Sequence, residues 1–333
     1  MKMGSLSSRA ICFGGLLEGA FAQNHYALRF TDVSGRAAQT VNRFSWQNEP
    51  CRNKEAKIGL VSDESGRLHI KTTLMAESLM DKTLLDSTEA ETVFRALPDL
   101  NVVKLGGQSI IDRGREVVLP LVDEIVAARA DHQLLVMTGG GTRSRHAYAI
   151  ALDLAMPTGV LAKLGSSISE QNALMLSILL APRGGVKIGH DDLVKLPAYL
   201  ALGVIPVMHA MPPYSFWEEP AGRGRIPPHR TDSGTFLTAE VLGAKRCILV
   251  KDEQGLFSAD PKKDPNADFI PEIEVNELLA LDLADLAVER VMLHALARAR
   301  TVQEVLIING REPGVLARAL AGENPGTRIY RQA

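Results

Sequence analysis

The stretch Asn101-Val102-Val103-Lys104-Leu105-Gly106-Gly107 decides the fold of this chain. A run of strand length ends on a lysine and two glycines. The pattern returns at Leu134-Leu135-Val136-Met137, followed by Thr138-Gly139-Gly140-Gly141-Thr142. Short apolar runs bounded by glycine read as buried strands. Glycines placed directly after a strand let backbone N–H groups approach an anion with no Cβ in the way. Lys104 adds a positive charge that can track phosphate, and an ordinary surface lysine beside a tight turn is the plainer alternative. No Gly-x-x-x-x-Gly-Lys-Ser/Thr loop occurs, so a phosphate site here is not of the Walker A type.

Outward from these strands the periodicity alternates. Val117, Val118, Leu121, Val122, Ile125 and Val126 form a helical stripe within Val117–Ala130. Ser144–Leu154 and Ser169–Leu180 read as two further helices, the second with Ser169 as N-cap. Val204–Met208 and Cys247–Val250 read as strands, and Thr235–Leu242 as a helix stopped by Gly243. A helix over Val291–Arg300 then leads into a strand over Glu304–Ile308. This alternation predicts an α/β fold: a three-layer αβα sandwich with a largely parallel central sheet.

Three further segments carry candidate chemistry. Arg230-Thr231-Asp232-Ser233-Gly234 opens a helix, and Asp232 either caps it or positions phosphate, Mg²⁺ or a lysine. Lys251-Asp252-Glu253-Gln254-Gly255-Leu256-Phe257-Ser258-Ala259-Asp260-Pro261 is the most specific run. Phe257 offers a ring face for a base, while Asp252 and Asp260 are alternatively turn formers. Ile308-Asn309-Gly310 closes the set. In the Gly139–Thr142 loop, helix-terminal N–H groups aim at an anion. Arg143 and Arg145 stand beside it, one of them for phosphate, with Arg145 as the candidate.

Composition excludes several classes. The formal net charge of −2 and scattered basic residues argue against a nucleic-acid binder that works by phosphate neutralisation. Cys12, Cys51 and Cys247 lie far apart and form no zinc or redox spacing, which fits a reducing compartment. Lys2 and Arg9 precede an apolar stretch ending in Ala20-Phe21-Ala22, as in a signal peptide, but Glu18 interrupts it. A cytoplasmic location and no membrane association are expected. Residues 1–66 show neither helical nor strand period and read as a disordered extension or as sequence upstream of the true start, Met75 being a candidate. Residues 67–97 are expected to form a helical arm, and 98–333 the α/β domain.

The five segments, in this order, resemble the amino acid kinase superfamily over residues 98 to 331, the nearest enzyme branch being the uridylate kinases. Met211-Pro212-Pro213-Tyr214-Ser215-Phe216-Trp217 and Arg225-Ile226-Pro227-Pro228-His229-Arg230-Thr231-Asp232 resemble the molybdenum storage proteins, and more their β-type than their α-type subunits. Gly107–Arg115, Pro120–Arg129 and Gly159–Ser167 do so too. The resemblance implies ATP and Mg²⁺ as cofactors and molybdate or tungstate as stored cargo, held as a polyoxometalate. It also implies a homologous α-type partner in a heterohexamer with three subunits of each kind. By the same resemblance Lys104 and Asp232 stand at the transferring phosphate. Gly106, Gly107, Gly139, Gly140, Gly141, Thr142 and Arg145 surround the phosphates, and Lys251, Asp252, Gly255, Phe257, Asp260 and Pro261 flank base and sugar.

The chain departs from the kinases in places. Uridylate kinases usually show serine where Gly106 stands, and their acceptor run is replaced by Gln171-Asn172-Ala173-Leu174-Met175-Leu176. Phosphate transfer to UMP is therefore the alternative reading, and a silent nucleotide-binding subunit is the third. His190 and His209 bracket the segment that lines the cluster cavity in the storage proteins. Imidazole binds molybdenum or tungsten oxoanions as a ligand or, when protonated, as a charge partner. Buried structural histidines are the plain alternative. Ser166, Ser167, Gln171 and Asn172 read as a polar cluster at a loop–helix entry, with Gln171 as a further candidate for the metal oxoanion. The α-type histidine run after Pro-Pro-Tyr is replaced by Ser215-Phe216-Trp217, which supports a β-type role.

Overall fold

The computed structural model describes residues 59–62, 65–71, 82, 93–213 and 225–332. In the unit spanning residues 1–87, strands β1 (Gly59–Ser62) and β2 (Leu68–Lys71) pair antiparallel, with Gly59 opposite Lys71 and Ser62 opposite Leu68. Gly66 supplies the positive φ between them. β1 stands in the stretch that shows no strand period, and β2 is a strand at the start of residues 67–97, where a helical arm is expected. The remainder of the 1–66 extension and most of the expected 67–97 arm lie outside the described residues, as does Tyr214–Trp217.

The larger unit, residues 88–333, is built on an eight-stranded sheet. Its strands are β3 (Leu100–Leu105), β4 (Gln133–Thr138), β5 (Gly185–Lys187), β6 (Ile205–His209), β7 (Arg246–Lys251), β10 (Glu272–Glu274), β11 (Glu304–Asn309) and β12 (Thr327–Tyr330). A separate short ribbon pairs β8 (Leu256–Phe257) with β9 (Phe269–Ile270). The sheet order is β10-β12-β11-β7-β3-β4-β6-β5. All neighbours are parallel except β11 and β12, so β10 and β12 run against the other six.

Side chains alternate across the sheet, and the core divides accordingly. Leu100 and Val102 face one layer, with Leu135, Met137, Cys247 and Leu249; it is filled from helices α4 (Leu196–Ala201), α5 (Thr231–Leu242) and α7 (Arg290–Ala297) by Leu196, Phe236, Met292, Leu293 and Leu296. Val103 and Leu105 face the other, with Val136, Ile248 and Val250. Helices α1 (Arg115–Ala128), α3 (Thr158–Leu180) and α8 (Val315–Ala321) cover that side with Leu121, Ile125, Leu176 and Leu316. The expected αβα sandwich is present. Cys247 is buried in the first layer, where burial pushes its thiol up to about 12 and leaves it inert.

The region 158–180 corrects the sequence reading. Ser169 does not cap a new helix; α3 runs unbroken for 23 residues, and Ser169 lies buried inside it. Its hydroxyl donates to the carbonyl of Thr138 and Thr138 Oγ1 donates to the carbonyl of Ser169, which stitches helix to strand. A serine in a helix interior resembles a cap in sequence because the same short side chain serves both. Ser166, Ser167, Gln171 and Asn172 are therefore mid-helix residues, not a loop entry.

Topology places the site. The β3–β4 connection carries α1 on one face, and the connection after β7 carries α6 (Val275–Ala280) and α7 on the other. The loops leaving the adjacent strands β3 and β7 therefore part, opening a crevice at the carboxyl ends of the strands.

Candidate functional site

Lys104 and Lys251 end the neighbouring strands β3 and β7. Lys104 shares the strand parity of Val102, and Lys251 that of Leu249, so both side chains belong to the face covered by α5. That helix brings Asp232 between them. Lys251 Nζ lies 2.9 Å from Asp232 Oδ2, and Lys104 Nζ donates to Asp232 Oδ1. Lys104 and Asp232 are each 4% exposed. Burial pushes the Asp232 carboxyl up, but the ammonium groups of Lys104 and Lys251 outweigh it and hold it well below the usual carboxylate range. Burial pulls the Lys251 ammonium down, opposed by Asp232. One carboxylate thus fixes two cations side by side. The first turn of α5 reaches this position because Gly234 packs against the chain after β6, where a Cβ would lie 2.9 Å from Pro212 N.

The glycines act through close approach. Gly106 N donates to the carbonyl of Val250 at 3.0 Å, and Gly139 N to that of Leu105 at 3.0 Å, so the loops continue the sheet pairing. A Cβ on Gly107 would lie 2.6 Å from Gly141 Cα, so the two loops touch backbone to backbone. Gly141, with φ of 76°, is the N-cap of α2 (Thr142–Asp153). The backbone N–H of Thr142 is taken by the Asp112 carboxylate, so that donor is not free for a ligand.

These residues line a cavity of about 860 Å³, within the range of roughly 300–1,000 Å³ usual for cofactor sites. Lys104, Gly106, Gly107, Gly139, Gly140, Gly141, Arg145, Asp232, Lys251, Asp252, Gly255, Phe257, Asp260 and Pro261 all line it; Thr142 does not. At its rim Asp252 accepts from Arg113 Nη2 at 2.6 Å and Lys262 Nζ at 3.2 Å. Burial raises the Asp252 carboxyl, and these two cations more than reverse it. Asp260 accepts from the Lys262 backbone N–H at 2.9 Å and pairs with Lys263, which together lower its pKa; it is a turn former as well as a wall. The Phe257 ring lies 5.5 Å from that of Phe269, an apolar corner for a planar group. Two fixed ammonium groups, glycine backbone and an aromatic corner suit a nucleotide polyphosphate.

Asp232 does not cap its own helix: the N-cap is Arg230, without a side-chain bond. Glu289 supplies the cap instead. Its carboxylate accepts from the backbone N–H groups of Arg230, Asp232 and Ser233 at 3.0, 3.1 and 3.0 Å, and from Ser233 Oγ at 2.6 Å. Glu289 also lines the cavity. Sequence reasoning missed it because it stands 57 residues from Asp232 and no local pattern marks it.

The metal candidates are not among the residues lining that cavity. His209 ends β6 and His190 opens the turn after β5; their rings meet edge to face with centroids 4.5 Å apart. Ser166 Oγ is 3.5 Å from His209 Nδ1. Burial, then the neighbouring His190, pushes His209 down to about 4; burial also lowers His190. Gln171 does not join them, since its Oε1 accepts from Arg143 at 3.0 Å while the same guanidinium donates to Asn172. Arg143 is thereby engaged on α3, and Arg145 is the arginine of the pair that lines the cavity. No cluster of three or more metal-ligating side chains occurs among the described residues. Nor, among them, is any helix long and apolar enough to cross a membrane.

The model of the amino acid kinase family matches residues 99–309. The chain is 52% identical over 260 residues to the molybdenum storage protein subunit beta of Azotobacter vinelandii, covering 78% of this chain and 96% of that one. It is 28% identical over 232 residues to a uridylate kinase of Methanothermobacter thermautotrophicus, covering 67% and 95%. Among solved structures, uridylate kinase from Archaeoglobus fulgidus superposes with a TM-score of 0.54 at 22% identity, covering 69% of this chain and 99% of that chain. UMP kinase from Ureaplasma parvum gives 0.55 at 19%, covering 70% and 99%. At such identities the two structures speak to the fold alone.

Proposed function

The chain belongs to the amino acid kinase family, within it to the branch of the molybdenum storage protein β subunits, and from that premise we propose that it is a nucleotide-binding subunit of a molybdenum or tungsten storage assembly. The observation that carries this reading is the 52% identity running through 96% of the storage subunit's length. Its expected partner is a homologous α-type subunit, three of each in a hexameric cage in the cytoplasm, with oxomolybdate as cargo.

The cavity supports Mg·ATP as the cofactor. Lys104 and Lys251 would face the phosphates, Gly106, Gly107 and the Gly139–Gly141 loop would bring backbone N–H groups to them, and Arg145 would add charge. Asp232 holds both lysine side chains in place through its two oxygens. Phe257, with Gly255 and Pro261, would wall the base and sugar. Bound Mg·ATP would supply a cleavable phosphoanhydride whose energy drives uptake. His190 and His209 are the proposed contacts to oxoanion cargo. Burial favours their neutral form, so they would act as lone-pair ligands and not as charge partners. Gln171, held by Arg143, would reach cargo only by exchanging that bond.

The test is metal content by elemental mass spectrometry after incubating the assembled protein with molybdate, with and without Mg·ATP. ATP-dependent uptake of many metal atoms per subunit is expected. No uptake, together with phosphate transfer from ATP to UMP, would replace this reading with a uridylate kinase, which the identity to the archaeal kinase keeps in view. Neither activity, with retained ATP binding, would leave a silent nucleotide-binding subunit.

A further inference from the structure

We infer that Glu289 is the positioning residue for the Lys104–Asp232–Lys251 triad; the inference rests on the nucleotide reading of that cavity. A carboxylate 6% exposed gathers three backbone N–H groups and one hydroxyl from the first turn of α5. Asp232 sits within that turn, and both of its oxygens face lysines. Asp232 is thus turned to the lysines, the N-cap residue Arg230 makes no side-chain cap bond, and the orphan donors at the helix start take Glu289 as their acceptor. A negative charge at this end is also favoured by the helix dipole.

The same short loop holds the other side of the triad. Two residues before Glu289, the carbonyl of Ala287 accepts from Lys251 Nζ. Asp285, Leu286, Ala287, Val288 and Glu289 all line the cavity. Glu289 is in turn the N-cap position of α7, whose Met292, Leu293 and Leu296 are fully buried. Helix α7 thus anchors a loop that grips Lys251 by a carbonyl and Asp232 through its helix turn. An ordinary cap contributed by the helix's own N-cap residue would stabilise α5 without touching Lys251. This one links the helix start, the lysine and the cavity wall through a single loop, so a displaced Glu289 displaces the charges a phosphate would meet.

The experiment compares full-length wild type with Glu289→Gln, Glu289→Asp and Ser233→Ala. Acylation rates of individual lysines, read by peptide mass spectrometry, report the triad without nucleotide, and calorimetry reads Mg·ATP affinity. Losing charged hydrogen bonds that hold Asp232 in place should raise acylation of Lys104 and Lys251 about tenfold in Glu289→Gln. Lys187 and Lys195 should be unchanged, Mg·ATP binding should weaken by a similar factor, and Glu289→Asp should recover much of both. Unchanged rates at Lys104 and Lys251, with only a lowered unfolding midpoint, would overturn the inference and leave Glu289 a helix cap. Should Glu289→Gln not fold, Ser233→Ala removes one of the four contacts, and a flat lysine profile there would count against the inference. Wild type that binds no Mg·ATP would end the nucleotide reading, while the lysine rates would still decide the role of Glu289.

Discussion

Lys251 Nζ lies 2.9 Å from Asp232 Oδ2, and the second oxygen of that carboxylate receives Lys104. Removing the shared carboxylate would take from the buried Lys104 ammonium and the partly buried Lys251 ammonium the counter-charge that both touch. Breaking such a buried set costs about 3–5 kcal/mol. Asp232→Asn is therefore expected to lower the denaturant midpoint strongly and to abolish tight Mg·ATP binding. The pH dependence follows. The folded carboxyl titrates below its unfolded value of about 3.9, so its contribution is full above that value and is lost as pH falls through the folded pKa. Wild type and variant should converge in acid; parallel stability curves down to low pH would reject the account.

His209 gives a second window. Its folded pKa, about 4, lies below the unfolded value of 6.5, so the unfolded chain binds the extra proton between them. Stability should be full above about pH 6.5 and decline towards pH 4, by at most about 3 kcal/mol. His209→Gln should flatten that slope. Equal slopes for both proteins in urea titrations from pH 4 to 8 would remove His209 as its source.

Gly107→Ala tests the loop crossing. The added Cβ would press on the backbone of Gly141 and Gly139, and backbone cannot rotate away. Overpacking of this kind costs about 1–3 kcal/mol, and the glycine loops would separate. Weaker Mg·ATP binding should exceed the loss of stability. Gly114→Ala is the contrast: its φ of 73° with ψ of −153° lies in a region open essentially to glycine, but nothing lies within 4 Å, so it should cost about 1–3 kcal/mol of backbone strain and leave binding intact.

Glu240→Ala separates stability from function. Glu240 accepts from the backbone N–H groups of Arg300, Thr301 and Val302 and from Thr301 Oγ1, tying α5 to the turn before β11. Its loss leaves partly buried donors unpaired and should cost about 1–3 kcal/mol. Mg·ATP affinity measured well below the melting temperature should not change; a tenfold loss would mean that the far end of α5 also steers the site.

The sheet strands β3, β4, β6, β7 and β11 were legible from their apolar runs, and glycine directly follows β3, β4 and β11; the short strands β5, β10 and β12 and the β1–β2 and β8–β9 pairs carry no such run. Lys104, Gly106 and Gly107 could be read as an anion loop from such local marks, whereas the role of the Lys251–Pro261 run came from its resemblance to the kinases. The α3 helix was misread because Ser169 carries a cap's side chain in a position where Thr138 takes its hydrogen bond. Gln171 was drawn towards the histidines by its place in the chain, and Arg143 holds it elsewhere.

Sequence alone determined the alternation of strand and helix, the largely parallel sheet and the glycine loops at its carboxyl edge. These depend on periodicity and on the steric freedom of single residues, and both are written locally. Only the tertiary structure decided that Asp232 joins two lysines from neighbouring strands, that Glu289 caps the helix from 57 residues away, and that His190 meets His209. Those contacts arise when the sheet order brings distant segments together. A buried charge settles on whichever partner the fold supplies, and no short-range pattern records that choice.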